Sequence, residues 1–317
     1  MSIKKTRHVI RPFEYQKAFD YFEIQSNNMW LPTEVSMERD IQDWNTKLSA
    51  SEKDIIINTL RLFTQIELAV QDNFWNITPR LFKKPEIAMM SSAFSYMESI
   101  HIWGYSYLND SLGLPEGEFS AFLQEPTMKA KIDYFCKKTN NIPLFLATLA
   151  VLEGVSLYSS FAILMSFAME NKLLGVQQIV SFSVRDESLH SDASCWLFKE
   201  YNKEYSKDLT KETKDDIMEM VRTVVAMEDD YIDRVFQMAP DGLKYLTPKQ
   251  LKNFVRYRAN AKLYDMGLPM NWKQVNDSHD LEWFNVASGG IRHTEFLSGQ
   301  RVDDYGANGV TFHKIKW

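Results

Sequence analysis

The chain is 317 residues long, 45% hydrophobic and 25% charged, an ordinary globular composition with ample length to bury a core as one large domain or two small ones. A net charge of -6 offers no basic footprint for nucleic acid, so that partner class is set aside. Cys136 and Cys195 are too few for a disulfide scaffold or a zinc-thiolate site and suit a reducing cytoplasm, and the basic start through Tyr15 lacks the apolar run of a signal peptide.

Apolar residues recur at helical spacing from end to end, which predicts an all-α protein. A first helix covers Pro12 to Asn27, followed by an irregular arm through Glu34 and Trp44. Ser51-Glu52-Lys53-Asp54 resembles a capping box and opens a helix to about Trp75. Its buried stripe reads Leu60, Phe63, Glu67, Val70, Phe74. The next helix, Pro85 to Asn109, carries the stripe Phe94, Glu98, His101, Tyr105, Leu108 and ends at Gly113, Pro115 and Gly117. One helix is expected from Phe119 to Lys138.

From Leu144 to Met169 the only charged residue is Glu153, and the length would cross a bilayer. Several serines, the absence of immediately flanking basic residues and the absence of a companion segment favour the central helix of a bundle over a membrane span. Its stripe is Leu146, Leu149, Glu153, Leu157, Leu164. Gly175 separates it from a helix running to Tyr201 with the stripe Val176, Val180, Ser183, Glu187, His190, Leu197. Helices at Lys211 to Met238 and Pro248 to Tyr264 are expected to be peripheral and to carry no inward acid. Glycines at 289, 290, 299, 306 and 309 divide the chain into a helical domain, 1–285, and a flexible C-terminal tail, 286–317.

Four long helices thus place an acid on an apolar stripe, and two of them add a histidine one turn later. Burying a carboxylate without a partner costs several kcal/mol, roughly, so such groups are paired or bound to metal. One Glu from each of two helices and Glu-x-x-His from each of two others is the pattern of a ferritin-like dimetal carboxylate site. Two divalent cations would cancel four carboxylates, and oxygen with imidazole donors suits iron or manganese better than zinc or copper. Storage, desaturation, hydroxylation and radical generation all use such sites, so the metals alone do not fix the reaction.

The stretches Trp30-Leu31-Pro32-Thr33-Glu34-Val35, Glu98-Ser99-Ile100-His101 with Tyr105, Leu152-Glu153-Gly154 and Arg185-Asp186-Glu187-Ser188-Leu189-His190 narrow the choice. Together they resemble the small, radical-generating subunit of class I ribonucleotide reductase. The resemblance implies two metal ions per chain (diiron, dimanganese or mixed) held by Glu67, Glu98, His101, Glu153, Glu187 and His190. It implies that Tyr105 carries a stable radical and that Asp186 links His101 to Trp30. Tyr305 in the tail would relay the oxidising equivalent to a large catalytic subunit, where ribonucleotides are reduced to deoxyribonucleotides. A homodimer is implied, with a flavoprotein activase as a further candidate partner. Nucleotide binding by this chain is not expected, in keeping with its lack of a Gly-rich phosphate loop.

Three positions depart from the family pattern. Glu67 stands where many members have Asp, and Ser183 is polar near the expected radical. After Tyr305 the tail ends His313-Lys314-Ile315-Lys316-Trp317 where many relatives end acidic. The first two keep open a metal pair that itself stores the equivalent. The rival readings are an acyl-chain desaturase or hydroxylase, which needs an apolar channel to the metals, and a non-catalytic metal-storage protein.

Overall fold

A computed structural model describes residues 2–238, 241–273, 275, 281, 283 and 284. Among these every regular element is helical, and the sole bridge of strand type is the isolated pair Leu243 and Leu246. The α-helices are α1 (Gln16–Asn27), α2 (Glu38–Thr46), α3 (Ala50–Val70), α4 (Thr78–Leu81), α5 (Pro85–Ser111) and α6 (Glu118–Ala121). They continue with α7 (Pro126–Phe135), α8 (Ile142–Val151), α9 (Tyr158–Ser166), α10 (Leu174–Glu204), α11 (Lys211–Met238) and α12 (Pro248–Asp265). Two π-helical turns interrupt this pattern, Gln71–Trp75 after α3 and Leu152–Ser156 between α8 and α9.

The helices with Glu-x-x-His are α5 and α10, which pack against each other. Helix α3 lies on α5, while α8 and the following π turn lie on α10. All four apolar stripes face this common interior, where Leu60, Phe63, Phe94, Leu146, Leu149, Val176 and Val180 are fully buried. Ile142–Glu170 is the one stretch among the described residues long and apolar enough to span a membrane, and 83% of its apolar window is buried inside the bundle. It is the core of the fold.

Several local expectations are corrected. The arm after α1 is not irregular: Pro32–Glu34 forms a 3-10 turn and α2 follows. Helix α2 delivers two buried carboxylates to the start of α10. Asp40 accepts from Gly175 N at 2.9 Å and Val176 N at 2.8 Å, and Asp43 accepts from Leu173 N at 3.1 Å. These bonds satisfy backbone donors that a helix start leaves open.

The capping box of α3 sits two residues earlier than Ser51. Glu52 N donates to Ser49 Oγ at 3.1 Å, and Ser49 N donates to Glu52 Oε2 at 2.8 Å. Helix 119–138 is broken into α6, a 3-10 turn at Phe122–Gln124 and α7, since Pro126 cannot continue a helix from its N-terminal side. Helix α11 does carry an inward acid: Glu228 is fully buried and pairs with Lys131 of α7, itself 1% exposed. An acid in a charge-rich helix gives no pattern signal when its partner lies on another element.

Candidate metal centre

Helix α5 presents Glu98, His101 and Tyr105 one turn apart, and α10 presents Glu187 and His190 in the same spacing. Glu67 comes from α3 and Glu153 from the π turn. All are fully buried. They converge into two groups that share Glu98 and Glu187: Glu67, Glu98, His101 and Glu187, and then Glu98, Glu153, Glu187 and His190. In each group one donor atom per residue lies within 4.8 Å of every other. His101 Nδ1 is 2.9 Å from Glu187 Oε1 and 3.3 Å from Glu98 Oε2. His190 Nδ1 is 2.8 Å from Glu98 Oε1 and 3.8 Å from both Glu153 Oε1 and Glu187 Oε2. Every sequence-predicted ligand is therefore in the cluster.

The histidine Nε2 atoms face outward to acceptors. That of His101 is 3.3 Å from Asp186 Oδ2, and that of His190 is 3.1 Å from Gln25 Oε1. A neutral imidazole that donates from Nε2 turns a lone pair inward at Nδ1, where it meets carboxylate lone pairs. Such an arrangement is repulsive unless a cation lies between them or the ring takes up a second proton, and against the effect of burial the carboxylates around His101 push its pKa well up. Both Nδ1 atoms, both oxygens of Glu67, Glu98 and Glu187, and Glu153 Oε2 are buried without a hydrogen-bond partner. Leaving so many buried acceptors unpaired would cost several kcal/mol each, roughly, whereas two divalent cations would satisfy them. The donor set fits iron or manganese.

The electrostatics carry the same crowding. Burial and then the Glu98 charge push the Glu67 carboxyl well up. Burial and then the Glu187 charge do so for Glu153.

Outside this ring, Asp186 Oδ2 accepts from Trp30 Nε1 at 2.8 Å, and Asp186 Oδ1 accepts from Gln25 Nε2 at 3.2 Å and from Arg185 at 3.3 Å. Burial pushes Asp186 up, but the Arg185 charge and the bonds to His101 and Trp30 outweigh it and hold the carboxyl at about 2. Trp30, Asp186 and His101 are thus contiguous. Gln25 and Trp75 were not foreseen. Gln25 links His190 to Asp186, the outer partner of His101, and Trp75 Nε1 donates to Glu153 Oε1 at 2.6 Å. The signal for Gln25 was present, because it continues the buried stripe Ala18, Tyr21 as its lone amide.

Tyr105 stacks on Phe63 at 4.6 Å, and Phe63 stacks on Phe161 at 5.0 Å. Its hydroxyl is buried without a hydrogen-bond partner. Burial, reinforced by the Glu67 charge, pushes the phenol well above its ordinary range against the pull of the His101 charge. Ser183 itself is fully buried and donates to Ile179 O at 3.3 Å. Tyr305 and the tail, 286–317, lie outside the described residues.

A bundle in which two helices give Glu-x-x-His, and a third helix and a π turn each give a lone Glu, to one buried cluster belongs to the ferritin-like dimetal carboxylate class. Within that class the chain belongs to the ribonucleotide reductase small-chain family, whose model matches residues 7–278. It is 27% identical over 276 residues to the ribonucleoside-diphosphate reductase subunit beta of Chlamydia pneumoniae, covering 81% of this chain and 79% of that one. The fold is similar to the ribonucleotide reductase R2 subunit from Clostridium botulinum, with a TM-score of 0.81 and 20% identity over 91% of this chain and 94% of that one. It is also similar to dimanganese(II)-NrdF of Streptococcus sanguinis, with a TM-score of 0.77 and 21% identity over 90% of this chain and 99% of that one. The chain is accordingly an oxidoreductase component, and the desaturase and storage readings are not favoured. As a small chain it works with a large catalytic subunit.

Proposed function

We propose that Glu67, Glu98, His101, Glu153, Glu187 and His190 hold two divalent cations, iron or manganese, and that the chain generates and stores the oxidising equivalent used by the large subunit. The observation that carries this reading is the pair of inward Nδ1 atoms facing unpartnered carboxylate oxygens. When bound, the metals would supply the power to activate oxygen or a reduced oxygen species. Glu98 and Glu187 would be shared between the two positions, and the other four ligands would each serve one.

The remaining residues order the transfer. Asp186 fixes the His101 ring through Nε2 and accepts a hydrogen bond from the Trp30 indole, so an electron can leave Trp30 while its N–H proton shifts toward Asp186 along an existing hydrogen bond whose donor and acceptor are 2.8 Å apart. Tyr105, enclosed by Phe63 and cut off from water, is suited to hold a long-lived radical. Tyr105→Phe tests this: loss of activity with the large subunit, at unchanged metal content, is expected. Full activity would move the stored equivalent to the metals, the alternative that Glu67 and Ser183 keep open.

We further propose a cytoplasmic homodimer in which 1–285 is the metal-holding unit and 286–317, with Tyr305, docks on the large subunit. A flavoprotein that delivers a reduced oxygen species is the candidate activating partner. Tyr305→Phe should stop turnover and leave metal content normal; retained turnover would remove Tyr305 from the relay.

A further inference from the structure

A second set of buried charges gathers around the π turn that carries Glu153. Lys131 of α7 and Glu228 of α11 form an ion pair, and both are buried. Lys131 Nζ donates to Ser156 O at 2.6 Å. Glu228 accepts from Ser156 Oγ at 3.2 Å and from Ser159 Oγ at 2.6 Å. From α12, Arg258 Nε donates to Gly154 O at 2.9 Å, and the guanidinium lies 3.6 Å from the Tyr158 ring centre. Gly154 itself is pressed by its neighbours, for a Cβ there would overlap Ser191 Oγ and stand 2.7 Å from Lys262 Cδ.

Two cations from separate helices thus hold the carbonyls one and three residues beyond Glu153. A π turn carries one residue more per turn than its α-helical neighbours and is rare, so its persistence depends on its surroundings. A buried ion pair is a poor source of stability, because apolar residues of the same volume would often serve as well or better. What this pair does have is geometry: its hydrogen bonds outside itself fall on Ser156 and Ser159, and the Lys131 ammonium also lies 5.2 Å from the Tyr231 ring centre.

We propose that Lys131, Glu228 and Arg258 are positioning residues that hold the Leu152–Ser156 turn in π register and thereby aim the Glu153 carboxylate at the metal cluster. Return to α register would swing the side chains beyond the turn by about 100° relative to those before it. The inference rests on Glu153 being a ligand.

The test uses the full-length chain. Lys131→Met with Glu228→Leu replaces the pair by apolar residues and strands no charge. Circular dichroism should report a folded helical protein. Manganese(II) affinity should fall by about tenfold or more, as when outer partners of metal ligands are removed. The electron paramagnetic resonance signal of the manganese-loaded protein should change, and the amides of 150–160 should exchange faster in metal-free protein. A folded variant with wild-type affinity, spectrum and exchange would overturn the proposal. If that variant does not fold, Arg258→Gln decides, since Arg258 is partly exposed: a several-fold loss of affinity is expected, and none would overturn it. Glu153→Ala separates the two layers. Unchanged binding there would remove Glu153 as a ligand, whereas a loss there with none in the folded clamp variants would remove only the clamp.

Discussion

Asp186 accepts from Trp30, Gln25 and Arg185 while facing His101, so one carboxylate orients a metal-site imidazole and the residue expected to pass electrons. Asp186→Asn would keep the shape but remove the charge that favours a proton on His101 Nε2. Metal affinity is predicted to fall by about 10- to 100-fold, measured by manganese(II) titration. Trp30→Phe behaves differently, because the indole N–H is lost while both histidines keep their acceptors. Metal content should stay normal and turnover with the large subunit should stop; loss of metal would mean that Trp30 acts mainly by packing. The six residues of the cluster were legible at this scale because each polar side chain fell on an apolar stripe, whereas the part played by Asp186 was legible only through the family resemblance carried by Arg185-Asp186-Glu187-Ser188-Leu189-His190. Trp75 was not, since nothing in a helical pattern marks which indole will reach a carboxylate on another element.

Helix boundaries were legible where local chemistry sets them and failed where tertiary structure does. Of the two serines beside the start of α3, Ser49 closes the capping box, while Ser51 Oγ is buried without a hydrogen-bond partner. Ser49→Ala should therefore cost about 1 kcal/mol of stability and Ser51→Ala far less, a contrast that thermal melting resolves. Both lone-Glu helices adjoin π turns, whereas α5 and α10 stay regular through their ligands. Regular spacing suffices when Glu and His share one helix. Where an element gives one acid to the cluster, a π turn contains it or closely follows it, and no periodicity in the sequence announces that. The close packing at Gly154 follows from the second of these turns. Gly154→Ala should destabilise the fold by about 1–3 kcal/mol through overpacking, read as a lowered melting temperature.

For the whole molecule, the all-α bundle and the burial of Ile142–Glu170 followed from hydrophobic periodicity and from the need to cover the apolar stripes. The inward face of α11 did not, because Glu228 answers to Lys131 across the bundle and amphipathic charge counts see only one helix at a time. What unites the molecule is a buried cluster of four carboxylates and two histidines whose inward atoms lack hydrogen-bond partners, the feature on which the proposed dimetal centre rests. Manganese-edge anomalous scattering from a crystal grown with manganese(II) tests that most directly. Two peaks per chain are predicted, one among Glu67, Glu98, His101 and Glu187 and the other among Glu98, Glu153, Glu187 and His190. A map with no peak in either place, in a protein whose fold is otherwise as described, would contradict the account.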